Sequence, residues 1–415
     1  MRVMIFEINY QGHRLQYVKA LIQGLLPLSN NVVLVTSQEA AQSKEFQTHL
    51  SALTPCINLE IRHYPNYENP LRQALIKLQA FRSALKDLSP EHVYIPYADG
   101  LAQVLGATKW AVTSTASTTQ EIEGILMRGR FAYPADHWYD HPWAATWRTA
   151  TSLAPFSILH QLDPIPFAVL KKQGGSLGAR SRLIPEPVQP IKVRETVEAR
   201  RRLGLPLSGR YIASLGNLDA RKGIHLLLQA FAQAKLASND RLLLIGKPSP
   251  EIRTLINTQM GPLVRDERLI LIDDYVSDET FNFGMCAADV ICTPYPRHIG
   301  SSGIVVRAVA TGKPILASDY GWVGAVVSAF KLGTTVPVHD LGTFAEQIVK
   351  SLDNAESFRL TEGGRRFGAF HTIQNFSTHI TARIQMRLGQ GEPNHKMQWS
   401  QVMAAADNKN TVLEY

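Results

Sequence analysis

Lys222 has the neighbours a chemical role needs. It stands in Gly216-Asn217-Leu218-Asp219-Ala220-Arg221-Lys222-Gly223, between an apolar run (Tyr211 to Leu215) and a helical one (Ile224 to Lys235). Two adjacent cations just before a helix start suit an anion, because the free amides there point the same way. The same lysine could also be a solvated residue at a helix N-terminus. A second stretch follows similar logic. Val290 to Thr293 reads as a buried strand, Pro294 to Ser302 as a loop ending in Gly300-Ser301-Ser302-Gly303, and residues 303–311 as a helix stopped by Gly312-Lys313-Pro314. Small residues let the backbone come close to a ligand, and the first helix amides then face it, which makes a phosphate site. A plain crossover helix with a serine cap would use the same residues.

The elements that must position these groups alternate along the chain. Val3–Phe6, Val32–Thr36, 57–64, His92–Pro96 and Trp110–Thr115 read as strands, with helices over 13–26 and 71–88. The second helix carries Leu71, Leu75, Leu78, Leu85 and Leu88 on one side and Arg72, Lys77, Arg82 and Lys86 elsewhere. Such a basic amphipathic helix suits a solvated surface or a weak membrane-surface contact. Residues 120–190 are less regular and end in the stiff Ile184-Pro185-Glu186-Pro187-Val188, an interdomain linker. A fresh alternation follows, with strands at Tyr211–Leu215, Arg241–Ile245, Leu269–Ile272, Val290–Thr293, Pro314–Ala317 and 334–338. The pattern predicts an α/β protein of two doubly wound Rossmann-like domains facing a cleft. Residues 1–188 form the first and 189–375 the second. A helix over 376–389 is expected to cross back to the first, and residues 390–415 read as a disordered tail.

In open parallel sheets, ligands sit beyond the carboxyl ends of the strands. That places Gly12 and His13 after the first strand. It places Gly216, Asn217, Arg221 and Lys222, then Gly246 and Lys247, then Val276, then Gly300 to Gly303 after the strands of the second domain. Asp99, in an Asp-Gly pair, could touch an acceptor or form a turn. No metal site is expected. Asp273-Asp274 reads as a turn, and His137 with His141 as part of an aromatic loop. Gly204 to Arg210 has Walker-like spacing but precedes a strand and lacks the Lys-Ser/Thr pair, and no G-x-G-x-x-G follows the first strand.

The segments LGNLDARKGIHLLLQAF (215–231), LLLIGKP (242–248), DDYVSDETFNFGMCAADVICTPY (273–295) and SSGIVVRAVATGKPILASDYG (301–321) resemble the retaining GT-B glycosyltransferases, in particular the glycogen-synthase-like group 1 clan. The resemblance covers about residues 190–390. It implies a nucleotide-sugar donor on the second domain and an acceptor mostly on the first. It also implies an Arg and a Lys, spaced G-R-L-x-x-x-K-G, that neutralise the leaving diphosphate. Lys222 matches; Asn217 stands where the Arg belongs, and Arg221 could supply the charge. The clan's two glutamates, eight apart, are absent. Arg307 occupies the second position, in Arg307-Ala308-Val309-Ala310-Thr311-Gly312-Lys313-Pro314, and Ile299 or His298 the first. An arginine cannot accept hydrogen bonds from a ribose, so Arg307 either reaches a phosphate or acidic sugar or serves as an ion-pair partner.

These readings imply transfer of a hexosyl unit from a nucleotide-diphosphate sugar to a glycan, lipid or small-molecule acceptor, with retention and without a cofactor. Lys222 and Arg221 would be the catalytic cations. Gly12, Gly216, Asn217, Gly246, Lys247, Val276, Gly300 to Gly303 and Arg307 would contact the donor, and His13 and Asp99 the acceptor. The missing glutamates leave open a catalytically degenerate binding or partner subunit, and an epimerase or phosphorylase on the same fold is a further possibility. A net charge of +8 is spread too thinly for nucleic acid. Three cysteines without CxxC spacing, and no signal peptide or bilayer-length apolar run, lead to the expectation of a cytoplasmic protein.

Overall fold

The computed structural model describes residues 1–64, 69–108, 120–133, 142–273, 277–391, 397–408 and 413. The chain divides into two compact units. In the first (Met1–Pro187, Ile373–Lys396 and Leu413–Tyr415), seven parallel strands lie in the order β3-β2-β1-β4-β5-β6-β7. They are β1 (Val3–Phe6), β2 (Val32–Ser37), β3 (Asn58–Arg62), β4 (His92–Ile95), β5 (Glu121–Leu126), β6 (Ile158–Gln161) and β7 (Ser181–Leu183). Every residue of β1, β2 and β4 is buried, as expected for central parallel strands covered on both faces. Helix α1 (Arg14–Leu25) follows β1, α2 (Pro70–Leu88) precedes β4, and α3 (Asp99–Ala107) follows it. On α2 the buried stripe is Leu78, Phe81, Ala84 and Leu85, whereas Leu75 is exposed. The expected strand at Trp110–Thr115 lies outside the described residues.

The irregular stretch 120–190 holds three strands that the apolar pattern conceals. Glu123 on β5 is buried between His92 on β4 and His160 on β6, with imidazole-to-carboxylate distances of 3.1 and 2.6 Å. All three side chains are almost wholly buried. A charged residue at a core position breaks the strand signature, and it is tolerated because one carboxylate oxygen is hydrogen-bonded to His160 and the other lies beside the His92 imidazole. Burial alone would raise the Glu123 carboxyl, but hydrogen bonds from His160 and His92 outweigh it and hold it at about 2. Its folded value lies below its unfolded one, so its contribution to stability is present above the ordinary carboxylate range. That contribution is lost as pH falls toward 2. Glu123→Gln is expected to cost about 2 kcal/mol at neutral pH and to flatten acid unfolding between pH ~4.5 and ~2, read by denaturant titration across pH.

The second unit (Val188–Thr372 and Met397–Val412) is a six-stranded parallel sheet in the order β10-β9-β8-β11-β12-β13. Its strands are β8 (Tyr211–Leu215), β9 (Arg241–Ile245), β10 (Leu269–Ile272), β11 (Val290–Thr293), β12 (Ile315–Ser318) and β13 (Gly333–Val336). Helix α4 (Ile224–Gln233) follows β8 and α5 (Gly303–Ala310) follows β11. Each presents a buried apolar stripe to the sheet: Ile224, Leu227, Leu228 and Phe231 on α4, and Val305, Val306, Ala308 and Val309 on α5.

Near the C-terminus, α6 (Ile373–Ile380) and α7 (Ala382–Arg387) belong to the first unit. Phe376 packs edge-on to Tyr17, the Tyr94 hydroxyl donates to the Ile380 carbonyl at 3.0 Å, and Arg383 pairs with Glu121 at 2.7 Å. The featureless tail expected from residue 390 gives way at α8 (Trp399–Met403) in the second unit. Buried Trp399 there meets the rings of Phe330 and Phe370 at 5.9 and 5.3 Å. One large aromatic ring anchors the segment, and its polar neighbours hide it from a composition-based reading. Among the described residues, no helix is long and apolar enough to cross a membrane.

Candidate functional site

The loops at the carboxyl ends of β8, β9 and β11 are fastened to one another, and glycines allow it. Gly216 (φ +99°) donates its amide to Ile245 at 2.9 Å. A Cβ on Gly246 (φ +135°) would lie 1.9 Å from the Gly216 carbonyl oxygen, so only glycine permits this approach. Leu218 and Ser249 extend the contact, with Leu218 N–H to the Lys247 carbonyl at 3.3 Å and Ser249 N–H to the Leu218 carbonyl at 2.9 Å. On the other side, a Cβ on Gly223 would fall 1.8 Å from the Pro294 carbonyl oxygen. The loop bearing Lys222 is thus pinned between the β9 and β11 loops.

Asp219 shapes that loop. Its carboxylate accepts from the Lys222 amide at 2.8 Å and caps a short turn over Ala220–Lys222. Gly223, left-handed at φ +69°, then redirects the chain into α4. The Lys222 ammonium stands 3.7 Å from the centre of the Tyr295 ring. Tyr295 is buried, and that burial pushes its phenol well above the usual range. Ser318 donates to the Tyr295 carbonyl at 2.6 Å, and the His298 ring sits edge-on at 5.2 Å. Tyr295 is therefore a fixed platform that holds a cation over its face, the favourable side of the ring quadrupole.

Tyr295 also faces the start of α5, through the buried Ser302 hydroxyl beside its phenol. The serine cap weighed as the alternative reading of this helix start is not formed, because Ser302 makes no side-chain cap bond. The first amides of α5 have no intrahelical acceptor, and Gly300 (φ +100°) turns the loop just ahead of them. Lys222 thus lies over the Tyr295 ring, and Ser302, the residue before α5, lies beside its phenol.

The remaining predicted residues fall in different places. Arg221 is exposed, 3.5 Å from Asp219, and lines an open depression of about 550 Å³ with Pro296, Arg297 and His339. Asn217 and Lys247 are exposed on neighbouring loops. Arg307 lies within α5 with its guanidinium 4.9 Å from the Phe281 ring centre, a contact outside the two roles weighed for it. Val276 lies outside the described residues, as do Asp274, His137 and His141. Asp273 pairs with Arg253. Among the described residues no group of three or more His, Cys, Asp and Glu side chains could hold a metal ion. In the first unit, Gly12 (φ +74°) is exposed, and His13, just before α1, lies 3.2 Å from the Gln16 side chain. Asp99 organises a loop: its carboxylate accepts from the amides of Met127 and Arg128 at 2.9 and 3.1 Å, while burial raises its pKa. Asp219 and Gly223 read from the sequence only as members of the Lys222 loop, and Tyr295 is not singled out. Tyr295 follows a proline in an irregular loop, and no local pattern marks it.

Residues 209–354 match the family described as Glycosyl transferases group 1. The matched stretch lies within the second unit. A D-inositol 3-phosphate glycosyltransferase of Corynebacterium efficiens is 30% identical over 202 residues, covering 46% of this chain and 45% of that protein. A phosphatidyl-myo-inositol mannosyltransferase of Mycobacterium leprae is 34% identical over 156 residues, 36% of this chain and 39% of that protein. The chain spans less than half the length of these curated relatives. Among solved structures, Anabaena HepE in complex with UDP superposes with a TM-score of 0.68 at 13% identity, covering 93% of this chain and all of that one. Sucrose-phosphate synthase from Thermosynechococcus elongatus gives 0.69 at 18% identity, covering 98% of this chain and all of that one. At these identities the likeness is one of fold, the GT-B arrangement of two Rossmann-like domains.

Proposed function

We propose that this protein is a retaining hexosyltransferase that uses a nucleotide-diphosphate sugar as donor and a glycan, lipid or small-molecule hydroxyl as acceptor. The observation that carries the reading is the Lys222 ammonium held on Tyr295, beside a helix start with no side-chain cap. A departing diphosphate needs cations and oriented amides in that arrangement. The anomeric carbon–oxygen bond to the diphosphate breaks and a bond to the acceptor oxygen forms. The hydroxyl proton leaves with the diphosphate, so no protein base is required. Arg221 adds charge at the loop edge. Neither a metal nor an organic cofactor is called for, since cations and amides already meet the phosphates. The reading takes the protein as cytoplasmic, in keeping with its three free cysteines.

Thermal-shift measurements with UDP, GDP, ADP and TDP and their common sugars, with and without magnesium, test it. One diphosphate is expected to raise the melting temperature by mass action, without a need for magnesium. No shift with any of them would remove the donor site and leave the degenerate-subunit reading.

A further inference from the structure

The first unit has a pocket of its own. It has a volume of about 320 Å³, and its walls include Phe6, Glu7, Arg14, Lys77, Tyr97 and Leu101. It opens at the carboxyl ends of β1 and β4. In the sheet order, β2 and β3 lie on one side of β1 and β4 to β7 on the other. This is the point of reversal, where an open parallel sheet leaves a crevice for ligands.

Its charges are arranged unevenly. Glu7 is buried, and its carboxylate accepts from the Arg14 guanidinium at 3.1 and 3.2 Å and from the Asn9 amide at 3.0 Å. The Arg14 guanidinium carbon stands over the Tyr97 ring, 3.7 Å from its centre, and the same guanidinium is held by Glu7. Lys77 is half-buried in the same walls and makes no hydrogen bond or ion pair with the described residues. Burial, and then the positive charge of Arg14, lower its pKa. Two cations therefore share the pocket with one carboxylate that is already committed to Arg14. A half-buried ammonium without an anion is a costly group to leave unmatched. A ligand that brings one anionic group relieves that cost. Glu7 keeps acceptor capacity for a hydroxyl, and Phe6 and Leu101 supply apolar wall. The volume lies at the small end of ligand pockets, the scale of one sugar ring.

We propose that this pocket binds a polyhydroxylated molecule of sugar-ring size bearing one anionic group, with the anion on Lys77 and Arg14 and a hydroxyl on Glu7. This rests on the glycosyltransferase reading only in making that molecule the acceptor; the binding itself does not depend on it. The test is calorimetric titration of the full chain with glucose 6-phosphate, glucuronate and glucose. At least one of the two charged probes is expected to bind about tenfold or more tightly than glucose, and the comparison between them separates phosphate from carboxylate recognition. Lys77→Met is expected to remove that preference, leaving the affinity for glucose and for the nucleotide diphosphate unchanged. Equal affinity for glucose and both anions, no binding by any probe, or an unchanged preference in Lys77→Met would each overturn the proposal. Diphosphate binding without charged-sugar binding would sink the pocket alone. Charged-sugar binding that depends on Lys77, with no nucleotide binding, would sink the donor reading and leave the pocket standing.

Discussion

On the proposed glycosyltransferase reading, Lys222→Ala is expected to lower transfer by about 10²–10³-fold or more and to leave the fold nearly as stable. The two halves of that expectation have different origins. The ammonium is aimed by three constraints: the Asp219 cap on its own amide, the left-handed Gly223 behind it, and the Tyr295 ring beneath it. A charge oriented before the reaction needs no reorganisation as negative charge builds on the leaving diphosphate, so its removal is felt mainly in the transition state. The cation–π contact with Tyr295 accounts for about 1 kcal/mol of stability at a partly exposed lysine. Steady-state kinetics should therefore show a fall in kcat larger than any rise in KM, with a melting temperature close to that of the parent. Lys222→Arg keeps the charge but spreads it over a planar fork that does not fit the same position, and partial activity is expected. Full activity in Lys222→Ala would take this residue out of the site.

The parts of this protein that were legible in the sequence share a physical cause. β1, β8, β9 and β11 are short apolar runs because parallel strands are buried on both faces, and glycines mark the ends of β8 and β9 because two backbones meet there. β5 and β6 were not legible. Their core positions hold Glu123 and His160, and a charge whose partner lies 37 residues away reads as surface. The same limit hid the first-unit pocket. Glu7 and Arg14 lie close in the chain, but Lys77 joins them only through the fold. Tyr295 was missed for a related reason, since what makes it informative is the lysine that arrives from another loop. Asp99 reads as an acceptor contact or a turn, and its two amide bonds to the chain after β5 are again a contact across the fold that no local pattern marks.

Gly223→Val is expected to cost about 4 kcal/mol and to abolish nucleotide binding in whatever fraction stays folded. Gly223 has φ +69°, a conformation that costs a branched residue about 1–3 kcal/mol. Its Cβ would lie 1.8 Å from the carbonyl oxygen of Pro294. That neighbour is backbone, held in place by β11 and by the buried Tyr295, so it cannot swing away as a flexible side chain would. Relief must come from moving one loop off the other, and overpacking of this kind adds about 1–3 kcal/mol. The movement separates Lys222 from the ring that holds it, and both from the α5 amides. Stability and donor affinity should therefore fall together, unlike in Lys222→Ala, where only the site suffers. Denaturant unfolding and a nucleotide thermal shift on the same preparation distinguish the cases. A Gly223→Val protein that unfolds like the parent and still binds the diphosphate would show that the packing of these two loops does not build the site.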